Sequence, residues 1–365
     1  MKYTIAVIGC GRISLKHIEG IINNREKLIL VATSDKCVDK AREKALEYQN
    51  KIENSKVNVY ADYKELLIKE KPDIVTVASE SGYHCEIAIE SLNHGANVIV
   101  EKPMALSTID ADNMIKVAQK NNRKLAVSFQ NRFNKPVQQA YNALKQNRFG
   151  KILHGMVQVR WNRNNDYYKQ ADWRGTWQLD GGTLMNQCTH GIDLLQWFMG
   201  GKVKRVYGVL RRFLRPIEAE DFGSGIIEFD NGSVGIIEGS ADIYPKNLSE
   251  TLSIFGEDGS VVIGGVAVNK LETWRFKDSN VIGDYEEKMI NNNEPNIESV
   301  YGYGHTALFL DFVKSIEDNR EPLINGEEGK KSLELILALY KSMKDGSPIA
   351  TPIEFGTNEM KDLKM

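Results

Sequence analysis

Cysteine is scarce in this 365-residue chain: Cys10, Cys37, Cys85 and Cys188 lie far apart, and none forms a CxxC pair. That spacing excludes a disulfide framework and a cysteine-built zinc site, and favours reduced thiols in a cytoplasmic protein. Long hydrophobic runs are missing as well. No apolar stretch approaches the ~18–20 residues of a membrane helix. The chain enters a strand at once, without the basic and apolar regions of a signal peptide. A surplus of one charge is also lacking, since 47 Lys and Arg stand against 49 Asp and Glu for a net charge of -2. Nucleic acid and membrane are therefore not expected partners, and any phosphate must be held locally by a few side chains and backbone amides.

What is present is globular. Hydrophobic residues at 42% and charged residues at 26% argue against disorder, and the length suggests two domains. Over residues 1–128, strands are predicted at 2–8, 28–32, 57–60, 74–78, 97–100 and 125–128. Helices are predicted at 14–23, 38–48, 63–69, 85–94 and 109–121. Strands without a polar face alternating with amphipathic helices imply a parallel sheet covered on both sides, a doubly wound α/β domain of the Rossmann type. Beyond residue 129 the texture changes. A helix at 136–147 leads to strands at 152–161, 203–213, 224–229, 233–240, 251–255 and 259–263. A helix at 190–198 interrupts them, and helices at 307–317 and 330–344 close the chain. Asn231-Gly232 and Asp258-Gly259 mark hairpin turns through their tolerance of positive φ. Residues 129–365 thus predict an α+β domain on a large, mostly antiparallel sheet.

The first strand runs into Gly9-Cys10-Gly11-Arg12-Ile13-Ser14. Gly9 allows a tight turn, Gly11 lets the backbone approach a pyrophosphate, and the helix opening at Ser14 offers its amides and positive dipole to that anion. The glycine pattern gains weight because it sits between a strand and a helix in one βαβ unit. The second strand ends at Asp35, whose carboxylate suits the ribose hydroxyls of NAD and repels the 2′-phosphate of NADP.

Glu101-Lys102-Pro103 follows the fifth strand, with Gly82-Tyr83-His84 ahead of it, and Gly181-Gly182 precedes His190 and Asp193. These segments resemble the glucose–fructose oxidoreductase and inositol dehydrogenase family (Gfo/Idh/MocA) along essentially the whole chain. The resemblance implies NAD-dependent oxidation of a sugar hydroxyl. Lys102 would stand beside the nicotinamide crevice at a strand's carboxyl end, bond the hydroxyl and help move its proton, with His190 as partner. Glu101 would orient Lys102. The implied cofactor set is Gly9, Gly11, Arg12, Ile13, Asp35, Ser79, His84, Glu101, Lys102, Gln130, Trp173 and Arg174.

Gln130-Asn131-Arg132-Phe133-Asn134, Trp173-Arg174-Gly175-Thr176-Trp177 and Tyr301-Gly302-Tyr303-Gly304-His305 look like the branch that oxidises C3 of UDP-N-acetyl-glucosaminuronate (UDP-GlcNAcA) on the way to surface polysaccharides. In that branch the cofactor can stay bound and be reoxidised by an α-keto acid. The implied substrate residues are Lys102, Arg160, Tyr168, Asn186, His190 and His305. Arg132 and Arg163 are further candidates for the carboxylate or diphosphate, because guanidinium groups bind such oxyanions bidentately. Trp161, Trp173 and Trp177 could stack on uridine or pack the sheet, and for Trp161, on an alternating strand, packing is favoured. An aspartate usual four positions before the histidine is Asn186 here, which can orient substrate but not act as base. Two other readings stay open: a dehydrogenase of free sugars or inositol, and a non-catalytic sugar- or nucleotide-binding protein. The open sheet face of the family implies a homodimer or homotetramer.

Overall fold

The computed structural model describes residues 2–277 and 304–363. Tyr301, Gly302 and Tyr303 of the last segment named above lie outside the described residues. The described residues of 1–130 and 303–330 form one compact unit, and those of 131–302 and 331–365 form the other.

In the first unit, six strands pair in the order β3-β2-β1-β4-β5-β6. They are β1 (Tyr3–Ile8), β2 (Leu28–Ser34), β3 (Asn58–Tyr60), β4 (Ile74–Val77), β5 (Asn97–Val100) and β6 (Leu125–Val127), and every pairing is parallel. All residues of β4, β5 and β6 are buried, as expected of strands with helices on both faces. Asp62 and Ser107 cap the helices Tyr63–Glu70 and Thr108–Lys120 by accepting backbone N–H groups of Lys64 and Asp110. Strand order reverses between β1 and β4, which places the ligand crevice at their carboxyl ends.

The chain stretch 304–330 joins this first unit, although the sequence predicts one uninterrupted second domain from 129 to 365. Packing supplies the reason. The helix Gly304–Glu317 sets Phe309 edge-on against His17, and a Cβ on Gly20 would come within 3.2 Å of the Phe309 ring. Lys27 is paired with Glu317, and the Val127 N–H donates to the Ile324 carbonyl at the edge of β6.

The second unit is built on eight strands in the order β13-β12-β11-β7-β10-β9-β8-β14. These are β7 (Ile152–Arg160), β8 (Val203–Arg211), β9 (Phe222–Phe229), β10 (Val234–Ser240), β11 (Ser249–Gly256), β12 (Gly259–Gly264), β13 (Lys270–Phe276) and β14 (Ile349–Ala350). The pairings are antiparallel except β7 with β10. The helix Thr189–Met199 covers one face: a Cβ on Gly155 of β7 would meet Leu195 and Met199 at 2.9 Å. On the other face Tyr207, Ile226, Ile236 and Met156 stand side by side in register, with Tyr207 46% and Ile226 54% exposed. Among the described residues, no helix is long and apolar enough to cross a membrane.

Candidate active site

Gly9 ends β1 at φ +91°, and a Cβ there would fall 2.4 Å from the backbone of Ala78 and Ser79. Only glycine lets the ends of β1 and β4 come this close. Gly11 is the opposite case, since its missing Cβ would meet nothing within 4 Å. That gap leaves room for a diphosphate against the backbone. The helix Ser14–Asn23 begins just beyond, with no side-chain cap and no acidic residue in its first turn, so no fixed anion competes for its amino end. Ser14, where the pattern would have glycine, turns inward: it is fully buried and its hydroxyl donates to the Gly11 carbonyl at 2.6 Å. Asp35 accepts the Cys10 N–H on one carboxylate oxygen and the Cys37 N–H on the other, both at 2.8 Å. It therefore ties the glycine turn to the end of β2 as well as presenting a carboxylate for a ribose. These features fit NAD.

Beyond β5 comes Glu101, 4% exposed, whose Oε2 accepts the Lys102 N–H at 3.2 Å. His17 faces the other oxygen, with Nε2 2.8 Å from Oε1, while its Nδ1 lies 2.6 Å from Thr76 Oγ1. His305 brings its Nε2 to 3.7 Å from the same Oε1. Burial pushes the Glu101 carboxyl up, but the His17 hydrogen bond and the nearby His305 ring hold it well below the usual carboxylate range. Burial lowers His305 in turn. His84 spans two loops, with Nδ1 2.8 Å from the Pro103 carbonyl and Nε2 3.0 Å from the Ser79 carbonyl, and burial lowers it too. Ser79, His84, Glu101 and Lys102 are thus brought together as a bonded frame around the strand end. Gln130 is buried, and its carbonyl would lie 2.0 Å from a Cβ on Gly304. His305 belongs to the first unit, beside Glu101.

In the second unit, His190 is 9% exposed near the start of the helix Thr189–Met199. Asn186 donates from its amide to Asp180, whose other oxygen accepts the Gly175 N–H at 2.7 Å. A carboxylate therefore sits beside position 186, supplied from six residues earlier. Gln187 Nε2 donates to Asn186 Oδ1 and to the Tyr167 hydroxyl, both at 3.0 Å. Arg174 donates to the same hydroxyl at 2.6 Å, and its guanidinium stacks 4.7 Å from the Trp173 ring centre. Burial raises the Tyr168 hydroxyl above its ordinary range.

Two arginines expected at an oxyanion already hold carboxylates. Arg160 forks onto Glu238 at 2.7 Å through Nε and Nη2. Arg132, 1% exposed, does the same to Asp193. Arg163 binds Gln187 at 2.8 Å and lies over the buried Trp161. Trp177 packs edge-on against Tyr340.

Glu220 was not predicted from sequence, because nothing local marks it. It is fully buried, accepting the Leu184 N–H at 2.8 Å and the Tyr340 hydroxyl at 2.9 Å. A Cβ on Gly182 would overlap its Oε2 at 1.6 Å, which explains the second glycine of Gly181-Gly182. Burial is the largest effect and lifts the Glu220 carboxyl to about 8 from an ordinary 4.5, against the bonds that favour the carboxylate. The folded state therefore binds this proton more tightly than the unfolded chain. Its stabilisation is complete below about pH 4.5 and is lost as pH rises through about 8. Glu220→Gln removes that titration. Scanning calorimetry should show the melting temperature of the variant gaining on the native protein by several degrees from pH 5 to pH 8. A constant gap across that range would show that Glu220 does not carry the proton.

Residues 3–129 match the family model described as "Oxidoreductase family, NAD-binding Rossmann fold", and residues 137–262 match the GFO/IDH/MocA C-terminal domain. The WlbA dehydrogenase of Bordetella pertussis, solved in complex with NADH and UDP-GlcNAcA, is 33% identical with a TM-score of 0.84, covering 97% of this chain and 98% of that one. The WlbA dehydrogenase of Chromobacterium violaceum, solved with the same two ligands, is also 33% identical, with a TM-score of 0.86 and 97% of each chain covered. The myo-inositol 2-dehydrogenase of Thermotoga maritima is 24% identical over 356 residues, 93% of this chain and 96% of that protein.

Proposed function

The chain belongs to the Gfo/Idh/MocA family of NAD-binding oxidoreductases, and on that premise we propose that it oxidises a secondary hydroxyl of a sugar, namely C3 of UDP-N-acetyl-glucosaminuronate in surface-polysaccharide biosynthesis. The observation that carries the oxidation is the frame at the carboxyl end of β5, where a buried, ionised Glu101 bonds the backbone of Lys102. Bound NAD supplies the hydride acceptor. Gly9, Gly11 and the helix start hold its diphosphate, and Asp35 its ribose. Lys102 bonds the reacting hydroxyl and takes part in moving its proton as hydride leaves the carbon, with His190 as second proton carrier. Asn186, held by Asp180, and Tyr168 orient the sugar. Arg160 would have to exchange Glu238 for the substrate's oxyanion, and His305 would have to leave Glu101, so neither carries this reading.

The UDP-sugar assignment is supported by the two WlbA relatives and by the segments around Gln130 and Trp173. Incubating the purified protein with UDP-GlcNAcA and NAD tests it, read by the absorbance of reduced cofactor and by mass of the 3-keto product, with and without 2-oxoglutarate. Neither signal in either condition would remove this substrate. Turnover of myo-inositol or a free hexose without any UDP moiety would replace it with the free-sugar reading. We also propose that the in-register apolar row on the open sheet face pairs two chains, giving a dimer or a tetramer of two such dimers. A monomer in analytical ultracentrifugation would exclude that assembly.

A further inference from the structure

His17, Glu101 and His305 come from a helix start, a strand end and a helix far along the chain, yet all three are buried. One ring nitrogen of each histidine and one carboxylate oxygen of Glu101 all lie within 4.8 Å of one another, a donor set that could hold a metal ion. Two features of the cluster are those of a ligand set. The first is His305. It is 3% exposed, and among the described residues neither of its ring nitrogens makes a hydrogen bond, Glu101 Oε1 standing 3.7 Å from Nε2. A buried polar atom in this state has lost its water without replacement, so it calls for a partner. The second is the outer support. Thr76 Oγ1 fixes the far nitrogen of His17, and the Lys102 N–H fixes the far oxygen of Glu101. Metal-binding imidazoles and carboxylates are oriented through their distal atoms in this way.

We propose that His17, Glu101 and His305 form a binding site for a divalent ion of the zinc class, with one carboxylate oxygen and two imidazole nitrogens as ligands. Two imidazoles out of three ligands disfavour magnesium and calcium, which prefer oxygen. Ligand bonds of ~2.0–2.1 Å around a tetrahedral ion require donor atoms roughly 3.3 Å apart. The His17–Glu101 separation of 2.8 Å must therefore open by about half an ångström, and the His305–Glu101 separation of 3.7 Å close by slightly less. Protons balance without release. His17 moves its proton from Nε2 to Nδ1, where Thr76 Oγ1 accepts it, and the freed Nε2 lone pair binds the ion. Glu101 keeps Oε2 on the Lys102 amide and gives Oε1.

Because the site is closed to solvent, the ion is expected to enter during folding. Untagged protein expressed in zinc-supplemented medium and desalted should carry about one zinc per chain by elemental analysis. Cobalt-grown protein should show the visible d–d bands of low-coordinate cobalt(II). His305→Ala should reduce zinc content at least tenfold, whereas His94→Ala, on the surface, should not change it. If His305→Ala fails to fold, Thr76→Val, which leaves all three ligands in place, should weaken retention against a competing chelator about 10- to 100-fold. Native protein without stoichiometric zinc and without cobalt bands overturns the site. So does zinc that survives in His305→Ala at native occupancy, or that Thr76→Val retains against the chelator as well as the native protein does. None of these readouts depends on turnover, so the metal site and the sugar oxidation stand or fall separately.

Discussion

Lys102→Ala is expected to lower kcat by about 100- to 10,000-fold while leaving NAD affinity near that of the native protein. The separation of the two effects follows from where the residues sit. On the proposed reading the dinucleotide is held by the glycine turn after β1, by the first helix and by Asp35, which is bonded to the Cys10 and Cys37 amides. Lys102 leaves the sheet one strand over from β4, at the end of β5, anchored by its backbone to Glu101. Its ammonium group can then be deleted without releasing the turn. His190→Ala should also lose at least tenfold. If Lys102 and His190 serve the same proton, the double variant should lose little more than the worse single variant, because groups that act as a unit are strongly non-additive. Steady-state kinetics for turnover and calorimetric titration of NAD for binding separate the outcomes. Native-like kcat in Lys102→Ala removes the catalytic assignment. Loss of NAD binding in the same variant would move Lys102 into the cofactor site alone.

How much of this could be read from sequence depends on the distance over which each feature is encoded. The six parallel strands and their helices are local patterns, and so are Gly9, Gly11 and Asp35, which lie inside one βαβ unit. Their roles at the turn follow from steric demands that sequence already states. β13 and β14 were not predicted, since seven and two residues without clear alternation resemble loop. The parallel pairing of β7 with β10 was equally invisible, because it joins residues some eighty positions apart across two antiparallel strands. The same limit applies to the site. His17 meets Glu101 across 84 positions and Arg132 meets Asp193 across 61, so the sequence offered them only as single residues. Arg132 and Arg160 then read as free cations for a substrate, whereas each has a carboxylate of its own. Asn186 is the reverse case: it marks a missing carboxylate in the sequence, and the fold sets Asp180 against it.

Asp193→Ala should be the most destabilising of the substitutions considered. Arg132 and Asp193 are each 1% exposed, joined by two hydrogen bonds of 2.7 Å, with the guanidinium 4.7 Å from the ring centre of Trp197. Removing the carboxylate takes two charge-assisted hydrogen bonds from a buried guanidinium that cannot lose its proton. Breaking a buried pair in this way costs about 3–5 kcal/mol. At about 2–4 °C per kcal/mol for a domain of this size, melting of the second unit should fall by roughly 6–20 °C. The value of the pair itself is a separate matter, because bringing two charges out of water offsets most of their attraction. Arg132→Met combined with Asp193→Leu should therefore recover most of the loss, with both charges gone and the volume kept. Calorimetry on the single and double variants distinguishes the two costs. A double variant as unstable as Asp193→Ala would mean that Arg132 is needed for its own contacts, beginning with Trp197. A single variant within 1 °C of the native protein would mean that the other contacts of the guanidinium hold it without Asp193.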